Sequence, residues 1–280
     1  MISAVVPAQN EEKRIGIALH QLLNLKIDKI IVVLNGSSDN TLGEIHRLKS
    51  SRIEIINFKE KLGIDVPRAV GAKYAYKLGA KYVLFVDGDL VGNIAYELNL
   101  LLENCIKNRL DLSLTDCYPT TPKLCYLTKI IVFFRQLLNQ ETGLIDSLGI
   151  SSPSHGPHIV SRRLLETIPI KELAVPPIEM VMALKSGLKI AKGVEIPHSR
   201  LGSSIKNLEH SQLIAQTIAG DCLEALTIYK NQPRNREYNG IKYMGYHSTR
   251  RWDLLAAFFS QVDNMKSAYN KKLPENVQRD

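Results

Sequence analysis

Four short, mostly apolar segments of strand length, each followed by turn or helix signals, constrain this chain more than any other feature. They are Ile2–Val6, Ile30–Leu34, Ile53–Ile56 and Tyr82–Val86. Ile30–Leu34 reads Ile-Ile-Val-Val-Leu, continuous rather than alternating, as a strand buried on both faces should be. Asn10 is placed to cap a helix through Leu25, with Glu11 and Glu12 in a first turn where acids suit the dipole. Gly36-Ser37-Ser38-Asp39-Asn40 is turn chemistry before a helix to Lys49, with Asp39 as its expected cap. Asp65-Val66-Pro67 opens a helix to Leu78, its proline in the first turn where the missing N–H costs nothing. Strands separated by helices predict a mostly parallel sheet with helices on both faces, an α/β fold.

Further along, the patterns predict helices over Ile94–Asn108, Lys123–Asn139 and Pro177–Ser186, and strands over Leu110–Leu114, His158–Ser161 and Lys189–Ile196. Ser147–His158, rich in Ser, Pro, Gly and His, reads as a loop. After residue 200 only helix is expected, Ser204–Tyr229 and Arg251–Tyr269, around a polar loop Asn231–Tyr246. This sets a division into residues 1–200 and a helical C-terminal extension, 201–280. A chain of 280 residues that is 45% hydrophobic is not disordered, and it buries a core without staples. Its net charge of +8 suits an anionic partner. Cys105, Cys117, Cys125 and Cys222 form no C-x-x-C pair, which argues against a structural zinc and for reduced thiols in a cytoplasmic protein. The opening apolar run has no basic residues before it and reads as a strand, not a signal peptide. The patch Leu124–Leu138 is too short to span a bilayer and leaves a peripheral, interfacial role open.

The fourth strand ends in Asp87-Gly88-Asp89. Two carboxylates at i and i+2 project to one side if strand geometry persists. They stand at the carboxyl end of a parallel strand, where open α/β sheets bind ligands. Hard oxygen donors there suit Mg²⁺ or Mn²⁺ bridging a diphosphate. The plainer alternative is an Asp-Gly turn with two solvated acids. Arg68 is unusual in a first helical turn, because a cation opposes the dipole, and a diphosphate nearby would explain it.

Together these segments resemble the GT-A glycosyltransferases, family 2 type. Val5-Val6-Pro7-Ala8-Gln9-Asn10-Glu11-Glu12 resembles their opening strand and loop. Asn35-Gly36-Ser37-Ser38-Asp39-Asn40-Thr41 is similar to their D-G-S-x-D-x-T segment. Gly63 with Pro67-Arg68-Ala69-Val70-Gly71 resembles G-x-x-x-A-R-x-x-G, and Asp87-Gly88-Asp89 their D-x-D. The chain departs at Leu34, where the family usually has Asp, and at Glu179-Met180, where it often has an E-D pair.

The resemblance implies a GT-A fold and metal-dependent transfer of a sugar from a UDP- or GDP-sugar to an acceptor hydroxyl. It implies a nucleotide site of Pro7, Ala8, Asn10, Glu11, Asn35, Asp39, Arg68, Asp87 and Gly88. The metal set would be Asp87, Asp89 and His198, and the acceptor set His155, Gly156 and Arg162. Asp89 and Glu179 would be the catalytic acids, Glu179 as general base if the enzyme inverts. A D-x-D joined to a later histidine and a helical tail is similar to the layout of glucosyl-3-phosphoglycerate and mannosylglycerate synthases, which retain configuration. The expected acceptor is a small phosphorylated or carboxylated molecule, with a glycan or lipid-linked acceptor as the alternative. A homodimer and a membrane surface stand among the expected partners, and nucleic acid does not. A degenerate sugar-nucleotide binder is the rival reading. A nucleotidyltransferase should carry a Gly-rich loop after the first strand, and Pro7–Glu12 contains no Gly.

Overall fold

The computed structural model describes residues 1–119, 125–203 and 207–265, and the backbone of 277–279. An eight-stranded sheet runs through it, in the spatial order Val277–Arg279, Ile53–Phe58, Lys29–Asn35, Ile2–Ala8, Tyr82–Phe85, His158–Ser161, Leu112–Asp116 and Ile190–Glu195. The strands are β1 (Ile2–Ala8), β2 (Lys29–Asn35), β3 (Ile53–Phe58), β4 (Tyr82–Phe85), β5 (Leu112–Asp116), β6 (His158–Ser161), β7 (Ile190–Glu195) and β10 (Val277–Arg279). The small pair β8 (Glu237–Tyr238) and β9 (Ile241–Lys242) forms a separate hairpin. β1 pairs in parallel with both β2 and β4, β2 with β3, and β5 with β7. β6 runs antiparallel to β4 and β5, and β10 antiparallel to β3.

The first strands form for the reason their composition suggests. Ile30 through Leu34 are all buried, because helices cover both faces of the sheet. One face is covered by α1 (Ile15–Leu23), α2 (Thr41–His46) and α4 (Ala95–Asn108) over a core that includes Leu19, Val32 and Leu98. The other is covered by α3 (Val66–Lys77), α5 (Tyr126–Glu141), α6 (Ile145–Leu148), α7 (Arg162–Thr167) and α8 (Pro176–Lys185). Beyond α9 (His198–Leu201), the C-terminal helices α10 (Leu208–Tyr229) and α11 (Trp252–Asn264) join this second core. Cys222 and Phe258 pack in the same cluster as Val70, Phe85 and Phe134, so the extension shares the sheet's core. No helix among the described residues is long and apolar enough to cross a membrane.

Several expectations are corrected. α1 begins at Ile15, not Asn10, and no side chain caps it. Asn10 adopts a left-handed backbone, φ 56°, which Asn tolerates better than most residues. Glu11 and Glu12 therefore precede the helix. The Asn231–Tyr246 loop holds the β8–β9 hairpin, and the antiparallel β6 and β10 were not foreseen as such. The expected helix starts at Lys123 and Ser204, and the expected helix end at Tyr269, lie outside the described residues.

Candidate active site

The carboxyl ends of β1, β2 and β4 meet along one edge of the sheet. Gly88 follows β4 and donates its amide to the Pro7 carbonyl at 3.0 Å. A Cβ at Gly88 would sit 3.0 Å from both Pro7 O and Ile15 Cδ1 and 3.1 Å from Ala8 Cβ. Glycine thus lets the Asp87–Asp89 turn lie flat on the end of β1. The loops after β1 and β2 are stapled together beside it. The Ser38 amide donates to Asn10 Oδ1 (2.8 Å), the Asn10 amide to Ser37 Oγ (3.1 Å) and the Glu11 amide to Thr41 Oγ1 (2.8 Å). Asp39 accepts from the amides of Glu12 and Thr41, both at 3.0 Å, and from the Thr41 hydroxyl. Burial pushes its carboxyl up, but these hydrogen bonds more than offset that and hold its pKa below the ordinary value. Asn35 ties down the loop after β3, accepting from the Leu62 amide at 2.5 Å and donating to the Gly63 carbonyl at 3.3 Å. Glu11 is buried and its carboxylate pairs with Arg14.

Arg68 does not point to water. It is buried, with Nη2 2.6 Å from Asp87 Oδ1 and Nε 3.1 Å from Asp65 Oδ1. Its Nη1 is buried without a partner. Asp65 holds a left-handed backbone, φ 60°. Arg250, just before α11, lies 3.7 Å from Asp65 Oδ2 and binds Asp221 of α10 at 2.6 and 2.9 Å. Arg236 binds Asp221 and Glu224, each at 2.7 Å. A chain of alternating charge therefore runs from the partly exposed Asp87 through Arg68, Asp65, Arg250 and Asp221 to the buried Arg236. The backbone follows the same path. The Arg251 amide donates to the Leu62 carbonyl at 2.8 Å, and a Cβ at Gly63 would come within 2.8 Å of Arg250 Cα. Sequence reasoning missed Asp65, Asp221 and Arg250, because their pairing spans up to 186 residues, the separation of the Arg250–Ile64 hydrogen bond in the same contact.

Glu179 lies in the first turn of α8, as expected, but it is only 1% exposed. Its Oε1 has no hydrogen-bond partner and lies 3.9 Å from His158 Nε2. Burial raises its pKa from the ordinary 4.5 to about 8, against the pull of Arg68. The raised pKa favours its protonated form, and its burial keeps it from an acceptor in this conformation. His158 is equally buried, stacked on Phe85 with ring centroids 4.8 Å apart; burial and Arg68 lower its pKa well below the ordinary value.

His155 and His198 meet at the carboxyl ends of β5 and β7, His155 Nε2 standing 3.0 Å from His198 Nδ1. Tyr118 packs on both rings, with centroids 5.1 and 6.1 Å away. Gly156 adopts φ 76°, and a Cβ there would meet Cys117 Sγ at 2.6 Å. Arg162 is elsewhere. Because β6 is antiparallel to β4, Phe85 pairs with His158 and Tyr82 with Ser161. Arg162 thus follows β6 at the amino end of β4, opposite Asp87. Its guanidinium covers the Tyr76 ring at 4.3 Å and binds Glu166 at 2.8 Å, so it is corrected from an acceptor contact to a surface clamp. Leu34 is buried in β2.

Asp87 and Asp89 are hard oxygen donors on one turn, and the Asp87 side chain is 36% exposed, so this pair fits a divalent cation. Asp87, Asp89 and His198 do not yet form a gathered donor set. Among the described residues, three potential ligands come within 4.8 Å of one another only at Asp221, Glu224 and His247. Arg236 and Arg250 already neutralise that group, which argues against a cation there. A cavity of about 650 Å³ opens between Lys171, Arg234, Trp252 and Phe259, and no candidate donor-site residue lines it.

A mostly parallel, helix-flanked sheet with the loops after β1 and β2 stapled at its carboxyl edge has the GT-A architecture. The model of glycosyl transferase family 2 matches residues 3–168, more than half of the chain, and the protein belongs to that family. Over 103 residues it is 30% identical to a UDP-N-acetylglucosamine–dolichyl-phosphate N-acetylglucosaminyltransferase of Methanococcus voltae, covering 32% of this chain and 41% of the relative. It is 33% identical over 90 residues to an uncharacterized protein of Methanocaldococcus jannaschii, covering 31% of this chain and 39% of that one. These matches span about two fifths of either relative's length. Among solved structures, glucosyl-3-phosphoglycerate synthase of Mycobacterium tuberculosis, in complex with Mn²⁺, UDP and glucosyl-3-phosphoglycerate, superposes with a TM-score of 0.62. That match has 19% identity and covers 83% of this chain and 81% of the other. The same enzyme with Mn²⁺, UDP-glucose and phosphoglyceric acid gives a TM-score of 0.61, again at 19% identity, covering 83% of this chain and 80% of the other. At this identity the likeness shows the fold.

Proposed function

We propose that this glycosyltransferase moves a sugar from a UDP- or GDP-sugar to a hydroxyl of a small phosphorylated or carboxylated acceptor. The Asp87–Gly88–Asp89 turn carries the reading, pinned to Pro7 and held by Arg68 at the edge where the loops after β1 and β2 are tied together. Asp87 and Asp89 would hold Mg²⁺ or Mn²⁺, which when bound supplies countercharge to the leaving diphosphate. His198 is the nitrogen donor of the proposal. With Nδ1 engaged by His155, Nε2 is the atom left for a metal, the arrangement in which a second partner orients a ligand imidazole.

The chain's own residues do the rest. The stapled loops and Asn35 pre-form the nucleotide floor, Arg68 sets the rotamer of Asp87, and the His155–His198–Tyr118 wall stands on the acceptor side. The solved neighbour holds Mn²⁺, UDP-glucose and phosphoglyceric acid together, which supports a donor and a metal of this class. The burial of Glu179, with its raised pKa, supports a reaction that does not use it as base. The test is hydrolysis and transfer with a panel of UDP- and GDP-sugars and Mn²⁺. Turnover of one donor, lost on adding a chelator, supports the proposal, and inertness toward the whole panel contradicts it.

A further inference from the structure

The described residues contain four buried arginines: Arg68, Arg135, Arg236 and Arg250. Three are matched by carboxylates. Arg68 has Asp65 and Asp87, Arg236 has Asp221 and Glu224, and Arg250 has Asp221. Arg135 of α5 is 2% exposed. Nη2 donates to the carbonyl and hydroxyl of Ser154, at 3.2 and 3.1 Å, and Nε is buried with no partner. The groups that feel its charge are the thiols of Cys117 and Cys222, the Tyr118 phenol and the rings of His155 and His198. None of these is an acid at neutral pH. A guanidinium does not shed its proton, and burying it without a countercharge is unfavourable.

The position of this charge matters. Ser154 immediately precedes His155, whose ring is 3.0 Å from that of His198. The His198 amide donates to the Cys117 carbonyl at 2.9 Å, which fixes the pair beside the end of β5. Ser154 Oγ lies 3.0 Å from Ser152 Oγ, which adds hydroxyls on the same loop. Arg135 thus stands behind the wall assigned to the acceptor, on the sheet edge that also bears Asp87.

We infer that Arg135 is the anion-reading group of the acceptor subsite, supplying the countercharge for a phosphate-type oxyanion on the acceptor. The inference rests on the proposed transfer reaction for the word acceptor, and on the geometry alone for the anion. The oxyanion could sit on a small phosphorylated molecule or on a phosphate-linked lipid. The shared chemistry is a phosphate group, for which this guanidinium is the unmatched buried charge behind Ser154 and His155.

The test is thermal melting of the full chain in inorganic phosphate against chloride at equal ionic strength. Wild type should gain about 3–5 °C when phosphate is at about ten times its dissociation constant. Arg135→Met should lose that gain and, without phosphate, melt no lower than wild type, because an uncompensated charge has gone. Arg135→Lys, which keeps the charge without the fork, should keep a reduced gain, and it stands as the test if the Met variant does not fold. Glycerol 3-phosphate and a short polyprenyl phosphate in micelles then separate the sources. The one whose stabilisation depends on Arg135 is the acceptor type, and failure of both overturns the acceptor assignment. No phosphate-specific gain in wild type, or a full gain in Arg135→Met, overturns the site. Melting with UDP and Mn²⁺ on the same proteins keeps the readings apart. Arg135→Met should respond as wild type does, and a wild type that does not respond contradicts the donor proposal while leaving the phosphate result standing.

Discussion

Arg68 Nη2 lies 2.6 Å from Asp87 Oδ1, so the first acid of the Asp-Gly-Asp turn is held by a buried cation from the first turn of α3. The cation that disfavours a helix N-terminus is compensated by acids drawn from Asp65 and from β4's end. Arg68→Met should leave Asp87 without its cation and Asp65 with only the more distant Arg250, and cost about 3–5 kcal/mol of stability. Chemical denaturation measures it, and Arg68→Lys should recover part of the loss. A cost under about 1 kcal/mol would mean the pair carries no structural weight.

Arg250 should act on the donor site from the C-terminal extension. It reaches Asp65, which in turn orients Arg68 on Asp87. Arg250→Met is expected to raise KM for the sugar nucleotide about tenfold more than it lowers kcat, with partial rescue in Arg250→Lys. Equal losses in the two constants, with no rescue, would reduce Arg250 to a fold contact.

Glu179 predicts a pH signature. Its folded pKa is raised to about 8 from 4.5, so the native state retains a proton that the unfolded chain loses. Stability from this group is therefore fully present below about 4.5 and declines as pH rises toward 8, with a slope approaching about 1.4 kcal/mol per pH unit between those values. Glu179→Gln mimics the protonated form and should remove the slope. The variant's stability advantage should grow between pH 5 and pH 8, while its turnover at pH 7 stays within about threefold of wild type. An advantage flat with pH, or loss of turnover, would restore Glu179 as an ionised base.

Gly88→Ala should show how closely the acid turn rests on β1. Its Cβ would meet the Pro7 carbonyl and Ile15 Cδ1 at 3.0 Å, and backbone at that distance cannot yield without moving the turn. A stability loss of about 1–3 kcal/mol is expected from overpacking, together with at least tenfold weaker Mn²⁺-dependent UDP binding by calorimetry. Unchanged binding would separate the turn from the donor site.

The strands of the first half were legible because short apolar-rich runs such as Ile30–Leu34 leave no face suited to solvent, and β4 delivers Asp87 and Asp89 where its pattern stops. Local chemistry misled where two causes share one residue type. Asn10 serves by its left-handed backbone and its bond to Ser38, not as a cap. A four-residue strand carries no mark of direction, so antiparallel β6 sent Arg162 to the wrong edge. Burial of Glu179 and Arg135, and the partners of Arg68, are long-range properties that no local window holds.

The central claim is that Asp87 and Asp89 hold a cation bridging a diphosphate, and it is tested most directly by melting the protein with Mn²⁺, with UDP or GDP, and with both. Each ligand neutralises charge that disfavours the other, so the joint shift should exceed the sum of the separate ones by several degrees, and in Asp89→Ala that excess should vanish. Additive shifts in wild type, or an excess that survives in Asp89→Ala, would contradict it.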